Sequence, residues 1–237
     1  DGIRDTSVTG VQTCALPILY IIFFIEIWYF YSYIASISYR VYLKFMSVTI
    51  NYKNSSSQTN SFNLIMFSDE NFNISPLKKH ISSSEHNFIK DLIKTMDNKK
   101  KILSFDISSK RKIILVSLKK NIKNSELENL GAKFYDLFKN AKQNTYNLNS
   151  NTISAKYKNL VGNFLHGLKL KSYTFEKYKT KKNIKNITIN VTGTNKPSTK
   201  DQIKFKSIEQ GTFYTRDLVS EPGNILHPDE YAKRLNS

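Results

Sequence analysis

Cysteine is nearly absent from this chain of 237 residues: Cys14 stands alone, so no disulfide framework can form within it. That usage suits a reducing compartment such as the cytoplasm. Histidine is scarce too, and His80, His86, His166 and His227 never form the i, i+4 pair around a glutamate that a zinc-peptidase helix needs. The pair Glu85-His86 reads as a solvated helix start, because no third ligand lies at a recognisable spacing. Asp69, Glu70 and Asp106, at strand ends, read as solvated surface. No Ser or Cys sits in a nucleophile elbow. The run TGTNKPSTK, residues 192–200, lacks a second glycine directly before its lysine, so a phosphate-cradling nest is not specified.

Negative charge is the other shortage: 36 Lys and Arg face 19 Asp and Glu, a net charge of +17. Such an excess raises nucleic acid or an anionic membrane as a partner. The basic residues, however, are nearly all lysine, scattered among Asn, Ile, Phe and Tyr, the mixture that A/T-rich codons supply. No aromatic-interleaved RNA-binding motif accompanies them. Solvated lysine faces are the preferred reading, with a basic nucleic-acid-binding α/β module as the alternative.

What is present divides unevenly. Residues 1–18, DGIRDTSVTGVQTCALPI, read as the conceptual translation of a sequencing adapter and are set aside from fold reasoning. Leu19 to Tyr39 is long enough to span a bilayer, but Glu26 near its middle would cost about 2 to 3 kcal/mol without a partner. Residues 19–45 are therefore read as translated upstream DNA, with Met46 as the start and no membrane partner. The alternative is a transmembrane helix followed by Arg40 and Lys44.

From Met46 the pattern alternates. Strands are expected at 47–52, 62–68, 101–108, 112–118 and 185–191, and helices at 86–96, 125–142, 152–169 and 199–220. The Ser82–Ser84 run can cap the first helix, with Phe88, Ile89, Leu92, Ile93 and Met96 on its buried face. Ser125 and Glu128 are placed as a capping box for the second, which is expected to bury Leu127, Leu130, Phe134, Leu137 and Phe138. The alternation predicts an α/β layered domain, a mostly parallel central sheet flanked by helices, over 46–220. It holds one sizeable core, with 40% hydrophobic residues.

Near the end stands TRDLVSEPGNILHPDEYAKRL, Thr215 to Leu235. Phe213, Leu218 and Val219 fall near one helical face, and Arg216 and Asp217 point elsewhere. Pro222 then forces Glu221 out of the helix, Gly223 permits a positive dihedral, Asn224 prolongs the turn, and Pro228 opens a second helix with Asp229 and Glu230 in its first turn. Residues 221–237 are expected to be a hinge whose second side is missing. Upstream, HGLKLKSYTFEKYKTKK spans His166 to Lys182.

Both blocks carry a resemblance. The first resembles the Ala-Arg-Asp-Leu-Val-Asn-Glu-Pro-Ala-Asn-Val-Leu-Thr-Pro segment joining the two domains of leucyl (cytosol) aminopeptidases, matching at Arg216, Asp217, Leu218, Val219, Glu221, Pro222, Asn224, Leu226 and Pro228. Ser220, Gly223 and His227 depart from it. The second is similar to a run in the same family's N-terminal domain through Gly167, Leu168, Tyr173, Phe175, Lys177, Tyr178 and Lys179. The resemblance implies the family's macro-like N-terminal α/β domain, which braces a homo-hexamer and in some bacterial members contributes to DNA binding. It also implies a catalytic domain, acting on peptides with two divalent metal ions such as manganese or zinc. The family's ligand run Asn-Thr-Asp-Ala-Glu-Gly-Arg is not in this sequence, so no catalytic or metal-binding residue is assigned. The chain is expected to be an inactive fragment lacking that domain.

Overall fold

A computed structural model describes residues 48–53, 63–96, 100–153, 159–180 and 186–236. The adapter-like stretch, the hydrophobic segment and Cys14 lie outside the described residues. Six strands form one sheet in the order β1-β6-β5-β2-β4-β3. They are β1 Val48–Tyr52, β2 Asn63–Asp69, β3 Ile102–Ser108, β4 Arg111–Leu118, β5 Thr145–Asn149 and β6 Ile187–Thr192. All neighbours are parallel except β3 and β4. Only Ser109 and Lys110 separate those two, a link too short for a crossover. Strands β2 and β4 sit centrally and are apolar on both faces, as the run KIILVSL requires.

Among the described residues five α-helices accompany the sheet: α1 Ser83–Thr95, α2 Asn124–Phe138, α3 Leu160–Lys171, α4 Thr199–Ser220 and α5 Pro228–Leu235. Helix α1 packs on one face, where Ile89 joins Met66, Leu103, Phe105, Ile113 and Leu115. Ser82 caps it as expected, accepting from the Glu85 N–H at 3.3 Å while Glu85 Oε2 accepts from the Ser82 N–H at 2.9 Å. Phe88 departs from the expected face and is exposed. On the other face α2 and α3 cover Val48, Ile65, Phe67, Tyr146, Ile187 and Ile189. Among the described residues no helix is long and apolar enough to cross a membrane.

Four expectations need correction. Helix α2 starts one residue earlier than placed, and its reciprocal cap is Glu126, whose Oε2 accepts from the Lys123 N–H at 3.0 Å, not Ser125 with Glu128. Its buried stripe centres on Leu127, Gly131, Phe134 and Phe138, which leaves Leu137 beyond the edge and 60% exposed. Helix α3 starts at Leu160 rather than near 152: Ser150–Thr152 is a short 3-10 turn, and Asn159 takes a left-handed conformation (φ 57°) that no continuous helix tolerates. Strand β5 lies between two helices, where the sequence pattern predicts no strand.

Helix α3 is buried almost all round. Every residue from Leu160 to Lys169 is buried, the helix lying against the sheet on one side, α2 on another and α4 on a third. The approach to α2 is possible because glycine stands on both sides of the crossing. A Cβ on Gly131 would lie 1.9 Å from the Phe164 carbonyl oxygen, and one on Gly167 would lie 2.0 Å from that of Glu128. Both obstacles are backbone. Gly131→Ala or Gly167→Ala should therefore destabilise the domain by about 2 to 3 kcal/mol or more in urea unfolding. Gly211→Ala, within α4 and with nothing inside 4 Å of the added atom, should instead be neutral or gain up to ~1 kcal/mol.

Candidate functional site

Several of the residues singled out in the sequence meet where α4 ends. Its last turn buries Leu218 but leaves Val219 82% exposed, correcting the expected shared face. Glu221, before proline, takes the extended conformation (ψ 137°) and ends the helix. The Pro222 carbonyl then accepts from the N–H groups of Ile225 at 2.9 Å and Leu226 at 3.0 Å, closing the turn. Gly223 and Asn224 form its exposed tip. Gly223 is not among the positive-φ residues, and an added Cβ would meet nothing within 4 Å. The turn therefore accepts the alanine of the resembling segment. Pro228 occupies the first position of α5, as expected.

The second block folds against this turn. Tyr173 donates through its hydroxyl to Asp217 Oδ1 at 2.7 Å, and its ring lies 5.5 Å from the Arg216 guanidinium and 5.4 Å from the Phe213 ring. Arg216 Nη1 donates to the Leu170 carbonyl at 2.6 Å, satisfying an acceptor at the end of α3. Lys177 Nζ and Tyr178 OH both donate to the Glu221 carboxylate, which also accepts from Arg234 Nη1 of α5 at 2.9 Å. Phe175 lies edge-on to Tyr178, with ring centroids 5.8 Å apart. Gly167 and Leu168 belong to the core rather than to the turn, and Lys179 reaches only Glu176.

Glu221 is the centre of this arrangement, its side chain only 2% exposed. Burial alone would push its carboxyl up, but donors from Lys177, Tyr178 and Arg234 outweigh that and hold it down at about 2. Burial first, and then the hydrogen bond to Asp217, push the Tyr173 hydroxyl up to about 12, so it remains a donor.

A second polar cluster escaped sequence reasoning because its members lie on otherwise apolar or exposed helices. His166 Nδ1 lies 3.3 Å from Glu209 Oε1 between α3 and α4, both side chains under 10% exposed. Phe205 packs on the His166 ring at 5.3 Å. Lys169, one turn from His166, is buried beside them; burial pushes its ammonium down, the Glu209 carboxylate pushes it up and the Lys206 charge pushes it down again. Burial and Glu209 push Tyr52 up to about 12. The positional hint was the His166/Lys169 spacing within a helix that is otherwise nearly all apolar.

Other candidates have structural roles. Glu85, expected to be solvated, pairs with Arg111 at 2.6 Å with both side chains under 15% exposed. Asp69 Oδ1 accepts from the N–H groups of Asn71 and Asn73, and Asp106 pairs with Lys112. The phosphate-like run begins at the end of β6, with Gly193 at φ +99°. Both donors of Thr194 are engaged: Asn151 Oδ1 accepts from its N–H at 2.8 Å and its hydroxyl at 3.0 Å. Among the described residues no three His, Cys, Asp or Glu side chains converge, so they do not fit the two divalent ions that the resemblance implied.

The turn at Glu221 makes a pH-dependent expectation. With Glu221 lowered from 4.5 to about 2 on folding, the stability it contributes is fully present above pH 4.5 and is lost as pH falls towards 2. In urea unfolding the gap between the parent and Glu221→Gln should be widest above pH 4.5 and should close towards pH 2. A gap independent of pH would show that the carboxylate charge is not what holds the turn.

No family model matches the chain. Among curated proteins, the probable cytosol aminopeptidase of Rickettsia bellii is 34% identical over 125 residues, 46% of this chain and 23% of the relative. That of Rickettsia rickettsii is 28% identical over 212 residues, 79% of this chain and 41% of the relative. The chain thus spans less than half the length of these relatives. Among solved structures, a tomato leucine aminopeptidase mutant matches with a TM-score of 0.61 at 16% identity, over 78% of this chain and 41% of the other. The cytosol aminopeptidase of Coxiella burnetii matches with a TM-score of 0.53 at 12% identity, over 79% and 36%. The curated homologues of this chain are cytosol aminopeptidases, and its α/β domain has the fold of leucine aminopeptidase chains.

Proposed function

We propose that the described domain is the N-terminal module of a leucyl-aminopeptidase-like metalloexopeptidase, and that it holds and orients the catalytic part of such a polypeptide through the hinge at Glu221. The observation that carries this reading is the meeting of two blocks about 40 residues apart, each resembling the family, at one carboxylate: Lys177 and Tyr178 from one, Glu221 from the other. The match over 79% of this chain to an aminopeptidase relative supports it. A hinge fixed by side chains from its own domain is suited to setting the direction in which a catalytic domain attaches.

On this reading the two divalent ions, manganese or zinc, and the peptide substrates belong to the part of the relatives that the match does not reach. The module's role is assembly, within a homo-hexamer in the cytoplasm. No catalytic step is assigned to the described residues. The purified chain of 237 residues should therefore release no leucine from a leucyl amide, with or without manganese, under conditions in which a full-length cytosol aminopeptidase does. Metal-dependent release above the blank would place the active centre inside this chain and end the module reading.

A further inference from the structure

Helix α5 is held differently from the other helices. None of its eight residues is buried, and its apolar Tyr231 and Leu235 are 43% and 55% exposed. Two turns of helix are marginal alone and ordinarily owe their stability to apolar packing. Among the described residues, two polar contacts between α5 and its neighbours meet at Arg234. Its guanidinium donates to Glu221 Oε1 at 2.9 Å, and its backbone carbonyl accepts from the Tyr214 hydroxyl of α4 at 2.5 Å. The two ends of the ion pair differ in exposure. Glu221 is 2% exposed and already gripped by Lys177 and Tyr178, whereas Arg234 is 25% exposed and also reaches Glu230 within its own helix at 3.0 Å.

We propose that α5 is an ionic latch: Glu221, immobilised from the domain side, is the fixed catch, Arg234 is the bolt, and breaking their pair frees α5 from α4 while the sheet domain stays folded. An exchange of partners within α5 makes this possible, because Arg234 keeps Glu230 when it leaves Glu221. The same pair that orients the helix can then be opened by an anion competing for the guanidinium, the more exposed of the two partners. A helix docked through a buried apolar face would not respond to such an anion. The latch concerns the docking of α5 alone and holds whether or not the domain serves an aminopeptidase.

Amide hydrogen exchange on the whole chain tests it, read at about 0.01 M and about 1 M sodium chloride, so that chloride is scarce in one case and in excess as a competitor for the guanidinium in the other. Amides of 228–235 should exchange about tenfold faster in high salt, while those of β6 and α3 do not change. Arg234→Gln should make 228–235 fast at both salt concentrations and leave 173–180 as in the parent, because Lys177 and Tyr178 keep their carboxylate. Glu221→Gln should loosen both segments; if that variant does not fold, the arginine variant decides. Protection of 228–235 in Arg234→Gln equal to the parent, or loosening of β6 in step with it, would overturn the latch.

Discussion

Helix α3 has no free side, and much of the architecture depends on that. A helix enclosed by a sheet and two other helices must let one neighbour approach at backbone distance, which explains glycine at positions 131 and 167. It must also find partners inside the protein for any polar side chain it carries. His166 meets Glu209 for that reason, and Asn163 and Lys169 are buried on the same helix. Because α4 packs on α3 through this polar contact and the Phe205 ring, the turn that follows α4 inherits its position from the most deeply buried of the described helices.

The shortage of acidic residues makes the buried ones informative. In a chain with a net charge of +17, carboxylates under 15% exposed stand at successive joints. Glu85 ties α1 to β4 through Arg111, Glu209 ties α4 to α3 through His166, and Glu221 ties the end of α4 to the loop after α3 and to α5. Each joint takes its partner from a different element.

Much of this is legible in the sequence, for reasons that also explain the gaps. The strands β2 and β4 stand out as apolar runs, and α4 runs from Thr199 to Ser220 as the pattern predicts. Strand β5 is hidden because TYNLN buries only Tyr146 and Leu148, an alternation too short to stand out from the Asn-rich text around it. Val219 defies the expected face because a helix near its end can turn an apolar residue outward without losing its dock. The hinge turn is readable from Pro222, but its mechanism is not. Spacing along a chain does not reveal that Tyr173 meets Asp217, or that Lys177 and Tyr178 share a carboxylate with Arg234.

Strand β1 stands at one end of the sheet order, and its described neighbour is β6, with Asn51 bonded to Asn190 across 139 positions. Asn190 continues the row by donating to Asn147 of β5. At ribosomal rates of about 5 to 20 residues per second, β1 leaves the ribosome on the order of ten seconds before its partner exists. During that interval Val48 and Ile50 have no strand beside them, while β3, β4 and α2 can form from neighbours close in sequence. Biosynthesis thus gives the domain an order of assembly in which its first strand is added among the last, and a delay in making β6 exposes the nascent chain to holdases or to pairing with other chains.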